Sequence, residues 1–284
     1  MVLALEQRLQ AFKRAPLADP PPVVLVDGMW VKIAYPTGDV NVEAHGRRRA
    51  AKRKQKRVVL TALGVWPDGH WEILHWKIAA AENAEAWDAC FEELYAKGVT
   101  EDTTQLVVSD GAQGLASALD HQLYGVPHQR CIFHKTKNLA DHLQYLDLHL
   151  DPRQPPAAAL RQAKQARKHA ILADAGRIYT TDGETAIRAR AAAFRATWEA
   201  REPTAVANFF TDFDHTLRYL DVDIPRVFVS LIRTTNLLER FHKEVRRKQR
   251  DIGMFQSERG CDALWYLIAT RETAKQQAAQ AGRN

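Results

Sequence analysis

Three carboxylates in this sequence stand where they could bind divalent metal ions. Asp27 and Asp110 each follow an apolar run, and Glu239 lies in a stretch that favours a helix. Mg²⁺ and Mn²⁺ prefer oxygen ligands and keep several waters, so a few carboxylates suffice when substrate phosphates complete the shell. Two such ions, roughly 3.5 to 4 Å apart, activate a water or a 3′-hydroxyl and stabilise the leaving oxygen in a displacement at phosphorus. The three acids therefore predict phosphodiester chemistry that uses Mg²⁺ or Mn²⁺, with two ions and no protein nucleophile.

The first two acids are expected on neighbouring strands. Residues 23–26 form an apolar run that leads into Asp27, and apolar alternation resumes through Ile33. A shorter run, residues 106–108, leads towards Asp110 and then into a helical pattern. Ligands of α/β sheets usually lie at the carboxyl ends of the strands. We therefore predict that Asp27 and Asp110 converge at one edge of a sheet.

Three further segments complete the predicted sheet. Residues 58–66 and 71–78 flank an Asp-Gly turn, which predicts an antiparallel hairpin. Residues 82–97 have helical spacing, and residues 129–133 predict a fifth strand that leads into a helix near His134. The order β-β-β-α-β-α-β-α predicts an α/β fold with one mixed five-stranded sheet.

A long helical segment interrupts this pattern. Residues 139–225 show almost no strand signal and are rich in good helix formers, which predicts an all-helical insertion. Its expected core consists of Phe194, Trp198, Val206, Phe209 and Phe210. The chain then divides into four parts. An N-terminal helix with a Pro-rich connector occupies residues 1–22, and the first part of the catalytic domain occupies residues 23–138. The insertion occupies residues 139–225, and a C-terminal part that carries the third acid occupies residues 226–284.

The third acid lies on a strongly basic helix. At 3.6 residues per turn, the stretch from Arg233 to Arg250 places its leucines, Phe241 and Val245 on one side and Glu239 on the other, with several cations. Alone, this pattern favours a solvated helix stabilised by neighbouring charges. Its place after two strand-borne aspartates favours a third metal ligand, and both interpretations remain open here.

Cations are concentrated in two segments. The net charge is +6, but residues 46–57 contain eight cations and residues 233–250 contain seven. Such patches suit a polyanion, because neutralising phosphates provides most non-specific affinity for nucleic acids. A flexible solubilising loop is the alternative for the first patch. The candidate DNA-binding residues are Arg47, Arg48, Arg49, Arg53, Lys243, Arg246, Arg247 and Arg250.

Composition excludes several classes of protein. Hydrophobic residues make up 46% and charged residues 26%, as in ordinary globular proteins. No apolar run has the length of a membrane span. The first residues lack the features of a secretory signal, and three widely spaced cysteines fit a reducing compartment. We expect a cytoplasmic, nucleoid-associated protein with no membrane contact.

Four segments together resemble the catalytic core of the mutator-type DDE transposases, which include many bacterial insertion-sequence transposases; they are VDGMWVKI, SDGAQGL, QRCIFHKTKNL and RTTNLLERFHKEVRR. The resemblance extends from Val23 to about Leu267 and includes the insertion. It implies a ribonuclease-H-like fold in which Asp27, Asp110 and Glu239 form the metal-binding triad. It also implies cleavage of double-stranded DNA at element ends, joining of the 3′-hydroxyl to target DNA, and a homodimer that brings two ends together.

The resemblance also includes a Cys-x-x-His motif at Cys131 and His134. Zinc would need two more ligands, and the sequence offers no second Cys/His pair at a suitable spacing. We therefore expect Cys131 to pack in the interior. His134 is expected to contact phosphate or to support the carboxylates.

One feature departs from the family pattern. Full-length members carry a substantial N-terminal region that reads the element ends, whereas about twenty residues precede the first strand here. This favours a truncated gene product or a separate domain. Two alternatives to a transposase stay open: a ribonuclease-H-like nuclease that hydrolyses RNA or structured DNA, and a domesticated transposase that binds DNA without transposing.

Overall fold

A mixed five-stranded sheet is the centre of the computed structural model, which describes residues 2–42, 45–151, 153, 155–181 and 183–281. The strands pair in the order β3-β2-β1-β4-β5. β1 runs antiparallel to β2 and parallel to β4, so the predicted mixed sheet is confirmed. The strands are β1 (Val23–Val42), β2 (Arg48–Val65), β3 (Trp71–Ala79), β4 (Leu106–Ser109) and β5 (His128–Arg130).

Helices precede, interrupt and follow the strands. The α-helices are α1 (Val2–Arg14), α2 (Ala84–Tyr95), α3 (Gln113–Gln122), α4 (Ile132–Asp141), α5 (Pro156–Ile178), α6 (Glu184–Trp198), α7 (Pro203–Phe210), α8 (Val229–Ile232), α9 (Asn236–Ile252) and α10 (Glu258–Ala281). Among the described residues, no helix combines the length and the apolar character needed to cross a membrane. The chain divides into two compact units, Met1–His128 with Asp223–Asn284, and Gln129–Val222.

β1 and β2 form a ribbon that extends beyond the buried part of the sheet. Their pairing runs from Val23 opposite Val65 to Val42 opposite Arg48, with an irregularity after Pro36. The inner part is apolar and buried, whereas the outer part is exposed and basic. The loop interpretation of the first basic patch is therefore wrong from Arg48 onwards. The sequence concealed these strands because both sides of the outer ribbon face solvent and need no apolar alternation.

The sheet of the first unit is covered on both faces. On one side, Val26 and Leu60 pack with Trp87 and Phe91 of α2 and with Leu115 of α3. On the other side, Thr61 accepts a hydrogen bond from the indole of Trp265 on α10, and the Trp265 ring contacts Phe241 on α9. Two-sided burial fixes the inner strands, and with them the position of Asp27.

The second unit has its own aromatic core. Phe194 of α6 contacts Phe209 and Phe210 of α7, with ring centroids 5.3 and 6.3 Å apart. Trp198 is buried and donates a hydrogen bond to Asp174 at 3.0 Å. The expected helical character of this segment is confirmed, and Phe194, Trp198, Val206 and Phe209 of its predicted core are buried, whereas Phe210 is half-buried.

Two predicted boundaries are displaced. The fifth strand ends at Arg130 instead of residue 133, because Cys131 caps α4 and the chain turns helical at Ile132. α9 begins three residues after Arg233 and ends at Ile252, where Gly253 adopts φ +74° and stops the helix.

Candidate active site

Asp27 lies within β1, beside the carboxyl end of the parallel strand β4, which Asp110 follows directly. Leu25 of β1 pairs with Val108 of β4, and each aspartate follows its strand residue by two positions. Continuing this register places the two aspartates level with one another on strands about 4.8 Å apart. The structure therefore brings together the two acids that the sequence placed on neighbouring strands.

Asp110 begins a tight turn that leads into α3. Its Oδ1 accepts a hydrogen bond from the Ala112 amide at 3.0 Å, and Gly111 takes the left-handed conformation with φ +81°. Ser109 supports the turn, because its hydroxyl accepts from the Gly111 amide at 3.0 Å and lies 2.7 Å from His128 Nε2. One carboxylate oxygen of Asp110 is thus used in the turn, and the other is available to a ligand.

A further carboxylate, Glu82, joins this pair. It lies just before α2, and a Cβ atom at Gly28 would be 2.7 Å from Glu82 Oε1, so only glycine allows this approach to β1. Burial raises the pKa of Glu82 to about 6, and the negative charges of Asp110 and Asp27 raise it in the same direction. Three acids therefore share one electrostatic environment, in which the charges of two raise the pKa of the third.

Sequence reasoning missed Glu82. In the stretch AENAEAW it resembles an ordinary acidic residue at a helix start, and the visible signal is the cap at Asn83, whose Oδ1 accepts from the Ala86 amide. The structural reason is Gly114, the second residue of α3: a Cβ atom there would lie 2.9 Å from the Ala84 amide nitrogen. The two helix starts that follow Asp110 and Glu82 can approach because this position is glycine.

His242 connects α9 to Asp27. Its ring is buried, with Nδ1 3.3 Å from Asp27 Oδ2 and Nε2 3.3 Å from the Thr61 hydroxyl. Thr61 is the cross-strand partner of Asp27, so the imidazole spans β1 and β2. The other oxygen of Asp27 accepts from the Gly28 amide at 2.9 Å. Together these contacts fix the orientation of the Asp27 carboxylate.

Glu239 lies one turn before His242 on the same helix. Leu237, Leu238 and Phe241 bury the inner side of α9, whereas Glu239 is half-buried. Residues three apart on a helix are neighbours, so docking His242 against Asp27 also brings the Glu239 turn towards the carboxylates. Across the described residues, no group of three or more His, Cys, Asp or Glu side chains has the arrangement of a metal site.

The arrangement nevertheless fits a divalent cation in its chemistry. The site offers carboxylate oxygens, which are the donors that Mg²⁺ and Mn²⁺ prefer. Burial, and then the negative charges of Asp110 and Asp27, make the charged form of Glu82 unfavourable there. A bound cation would remove that penalty and draw the carboxylates together.

Sequence comparison assigns the family. The profile of the Mutator family of transposases matches residues 1–150 and 157–279. The chain belongs to this family.

Its curated relatives are insertion-sequence transposases. The transposase for ISRM5 of Rhizobium meliloti (strain 1021) is 25% identical over 93% of this chain and 57% of its own length. The transposase for IS406 of Burkholderia multivorans is 26% identical over 90% of this chain and 56% of its own length. A probable transposase of Corynebacterium diphtheriae is 27% identical over 92% of this chain and 66% of its own length. The chain therefore spans little more than half the length of the first two relatives.

Among solved structures, the Drosophila P element transposase strand transfer complex matches 97% of this chain and 69% of its own, at 9% identity and a TM-score of 0.29. A likeness this weak does not define the fold.

In this Mutator-family chain, Cys131 and His134 belong to the second unit. Cys131 is fully buried at the cap of α4, which agrees with the expected packing role. His134 lies in the first turn of α4 and contacts the Phe133 ring, with centroids 5.5 Å apart. Its predicted contact with phosphate or support of the carboxylates stays a prediction.

The predicted DNA-binding cations lie on two surfaces of the first unit. Arg48, Arg49 and Arg53 are exposed on β2, and Arg47 is exposed just before it. On α9, the exposed cations are Lys243, Arg246, Arg247 and Arg250. Of the latter, Arg247 pairs with Glu244 at 2.8 Å.

Proposed function

We propose that this chain is the catalytic core of a DNA transposase with a ribonuclease-H-like fold. It cleaves DNA strands at element ends and joins the 3′-hydroxyl to target DNA, with Mg²⁺ or Mn²⁺ as cofactor. The observation that carries the proposal is the carboxylate cluster, in which Asp110 follows β4 beside Asp27 of β1, and both acids add to the raised pKa of the partly buried Glu82. Family membership supports the reaction class.

The proposed ligands of the two metal ions are Asp27, Asp110 and Glu239, and Glu82 is a fourth candidate ligand. When bound, such ions supply Lewis acidity at the phosphate oxygens and an activated hydroxyl. Gly28 and Gly114 let Glu82 and Asp110 come close, and the chain thereby concentrates negative charge where β4 ends beside β1.

His242 is proposed as a positioning residue. Its contact with Asp27 at 3.3 Å holds one carboxylate oxygen, and its contact with Thr61 holds the ring. Partners of this kind around metal ligands typically change affinity or activity by about 10- to 100-fold when removed.

The basic surfaces are proposed to bind double-stranded DNA. A two-stranded ribbon fits the major groove, and the outer part of β1 and β2 offers cations on both of its sides. The exposed cations of α9 would hold phosphates beside Glu239. A homodimer completes the proposal, because joining two element ends to one target requires two active sites.

Strand transfer from a pre-nicked end tests the proposal. With Mg²⁺ or Mn²⁺, the purified chain should join a labelled 3′-hydroxyl to target DNA, and Asp110→Asn should abolish the product. Glu85→Gln is the matched control, since Glu85 is an exposed acid in the first turn of α2.

Other outcomes favour the alternatives. Hydrolysis of RNA–DNA hybrids without strand transfer would favour a ribonuclease-H-like nuclease. DNA binding with neither reaction would favour a transposase that binds without transposing. If Asp110→Asn retained full strand transfer, the carboxylate mechanism would be refuted.

A further inference from the structure

A basic groove of about 610 Å³ runs along the C-terminal half of α9. It belongs entirely to the first unit, and its lining combines one aromatic ring with five cations and no carboxylate. The residues that matter are Trp30, Lys32, Lys56, Lys243, Arg246 and Arg250. A groove with this charge suits a polyanion.

The cations of the groove differ from other cations of α9. Arg247 pairs with Glu244 at 2.8 Å, and Lys248 lies 3.8 Å from Asp251. In the part of the chain that the structure describes, no carboxylate lies within ion-pairing distance of Lys243, Arg246 or Arg250. Among the described residues, no carboxylate lies within ion-pairing distance of Lys32 or Lys56, the two groove lysines on the ribbon, either. The groove thus presents cations that no carboxylate of the described residues balances.

Trp30 gives the groove a second type of contact. Its side chain is 49% exposed, whereas Trp76, Trp87 and Trp265 are fully buried. An indole ring between cations offers a flat apolar face on which a nucleic-acid base can stack, while the cations hold the phosphates. Bases in an intact duplex are already stacked and present no free face, so this pairing of groups favours an unpaired nucleotide.

The groove continues the helix side that carries Glu239. Lys243, Arg246 and Arg250 follow Glu239 at helical spacing, with the first of them one turn or about 6 Å further along the axis. Trp30 lies three residues beyond Asp27 on β1, a distance of about 10 Å along the strand. Side chains three positions apart on a strand point to opposite faces. The link from the groove to the site is therefore made by α9, on which Glu239 lies one turn before Lys243.

We propose that this groove binds a single strand of DNA with one unpaired base stacked on Trp30. The identification of that strand as the one next to the cleaved bond rests on the proposed function. Binding itself does not, because it needs only the aromatic ring and the cations.

Binding of fluorescein-labelled oligo(dT), measured by anisotropy in EDTA, tests the groove without any reaction. Trp30→Ala should weaken this binding by about tenfold and leave the affinity for a duplex of equal length unchanged. Trp30→Phe should restore most of the loss. Tyr124→Ala is the matched control, because Tyr124 is a strongly exposed aromatic residue outside the groove. Circular dichroism melting curves check that each variant is folded.

Salt dependence separates the cations from the ring. Lys243→Gln and Arg246→Gln should each reduce the slope of log K against log salt by about 0.7 for a single strand. Trp30→Ala should leave this slope unchanged.

The proposal is overturned if folded Trp30→Ala binds oligo(dT) like the wild type, or if it weakens duplex and single-strand binding equally. The two proposals also fail separately. Absence of strand transfer by the wild type, with the Trp30-dependent binding present, would refute the proposed function and support the groove.

Discussion

Two glutamates near opposite ends of α2 have the same side chain, but their pKa values are shifted in opposite directions. Glu82 lies just before the helix, where burial and the charges of Asp110 and Asp27 raise its pKa to about 6. Glu93 lies in the helix, where contact with His75 and then the ammonium of Lys77 hold its pKa at about 2. Burial raises the pKa of both glutamates, so the opposite directions of the two shifts come from the groups around them.

The charges next to each glutamate explain the opposite directions of the two pKa shifts. Glu93 Oε2 lies 2.9 Å from His75 Nε2, and its other oxygen accepts from Lys77, so its charge is stabilised within the fold. Glu82 instead faces two further acids. Burial is the larger cause of the raised pKa of Glu82 and the two neighbouring acids add to it, a combination that is frequent at functional sites. This difference is one reason why we propose the region around Glu82 as the site of chemistry.

Replacing one acid by its amide in each region should give the largest difference in strand-transfer activity. Asp27→Asn removes a proposed metal ligand and should reduce strand transfer by more than about a hundredfold. Glu93→Gln removes only a structural contact and should leave strand transfer unchanged. Initial rates at saturating Mg²⁺ measure both variants. Equal losses in the two variants would contradict the distinction between the regions.

Glu202 extends the comparison to the second unit. It is fully buried, yet it accepts hydrogen bonds from the amides of Gln144 and Tyr145 and from the guanidinium of Arg167. Removing one partner of a buried ion pair costs about 3 to 5 kcal/mol. Glu202→Gln should therefore lower the free energy of unfolding by about 3 kcal/mol in urea titrations.

Glu184→Gln is the control for that experiment, since Glu184 pairs with Arg188 on an exposed helix side, where a pair contributes at most about 1 kcal/mol. A loss in Glu202→Gln no larger than that in the control would show that burial with full compensation is not stabilising here.

Removing the His242 side chain should have an intermediate effect on strand transfer. His242→Ala removes the group that orients Asp27 and should reduce strand transfer by about 10- to 100-fold. The Mg²⁺ concentration needed for half-maximal rate should rise, which a purely structural role would not cause. His242→Gln keeps a donor and should restore part of the activity. Equal metal requirements in wild type and His242→Ala would refute the positioning role.

Much of this site was predictable from the sequence. Asp27 and Asp110 follow apolar runs whose strand character is strong, and their adjacency follows from the order of strands. Glu82 was not predictable, because its approach to β1 depends on Gly28 and Gly114, and a glycine's neighbours are visible only in three dimensions. The helix of Glu239 was predictable from its periodicity.

The ribbon and His242 were missed for physical reasons. The outer parts of β1 and β2 are exposed on both sides, so they lack the alternation that reveals a half-buried strand. His242 stands among charged residues and reads as part of a solvated face. Only its packing against Thr61 and Asp27 shows that it is buried.

The smallest expected effect concerns stability against pH, where Glu82 and Glu93 should act with opposite signs. The pKa of Glu93 is lowered in the folded state, so its contribution is present above about pH 4.5 and is lost as the pH falls towards 2. The pKa of Glu82 is raised, so folding is penalised as the pH rises from about 4.5 through 6. Solvent exposure keeps both effects near or below about 1 kcal/mol.

In EDTA at pH 7, Glu82→Gln should therefore raise the melting temperature slightly, whereas Glu93→Gln should lower it. At pH 3 both differences should shrink, because Glu82 is protonated in folded and unfolded protein and the advantage of Glu93 is partly lost. Adding Mg²⁺ at pH 7 should stabilise the wild type more than Glu82→Gln, since a cation removes the repulsion that the substitution has already removed. If Glu82→Gln lowered the melting temperature in EDTA at pH 7, the cluster would be compensated after all, and the contrast between the two regions would fail.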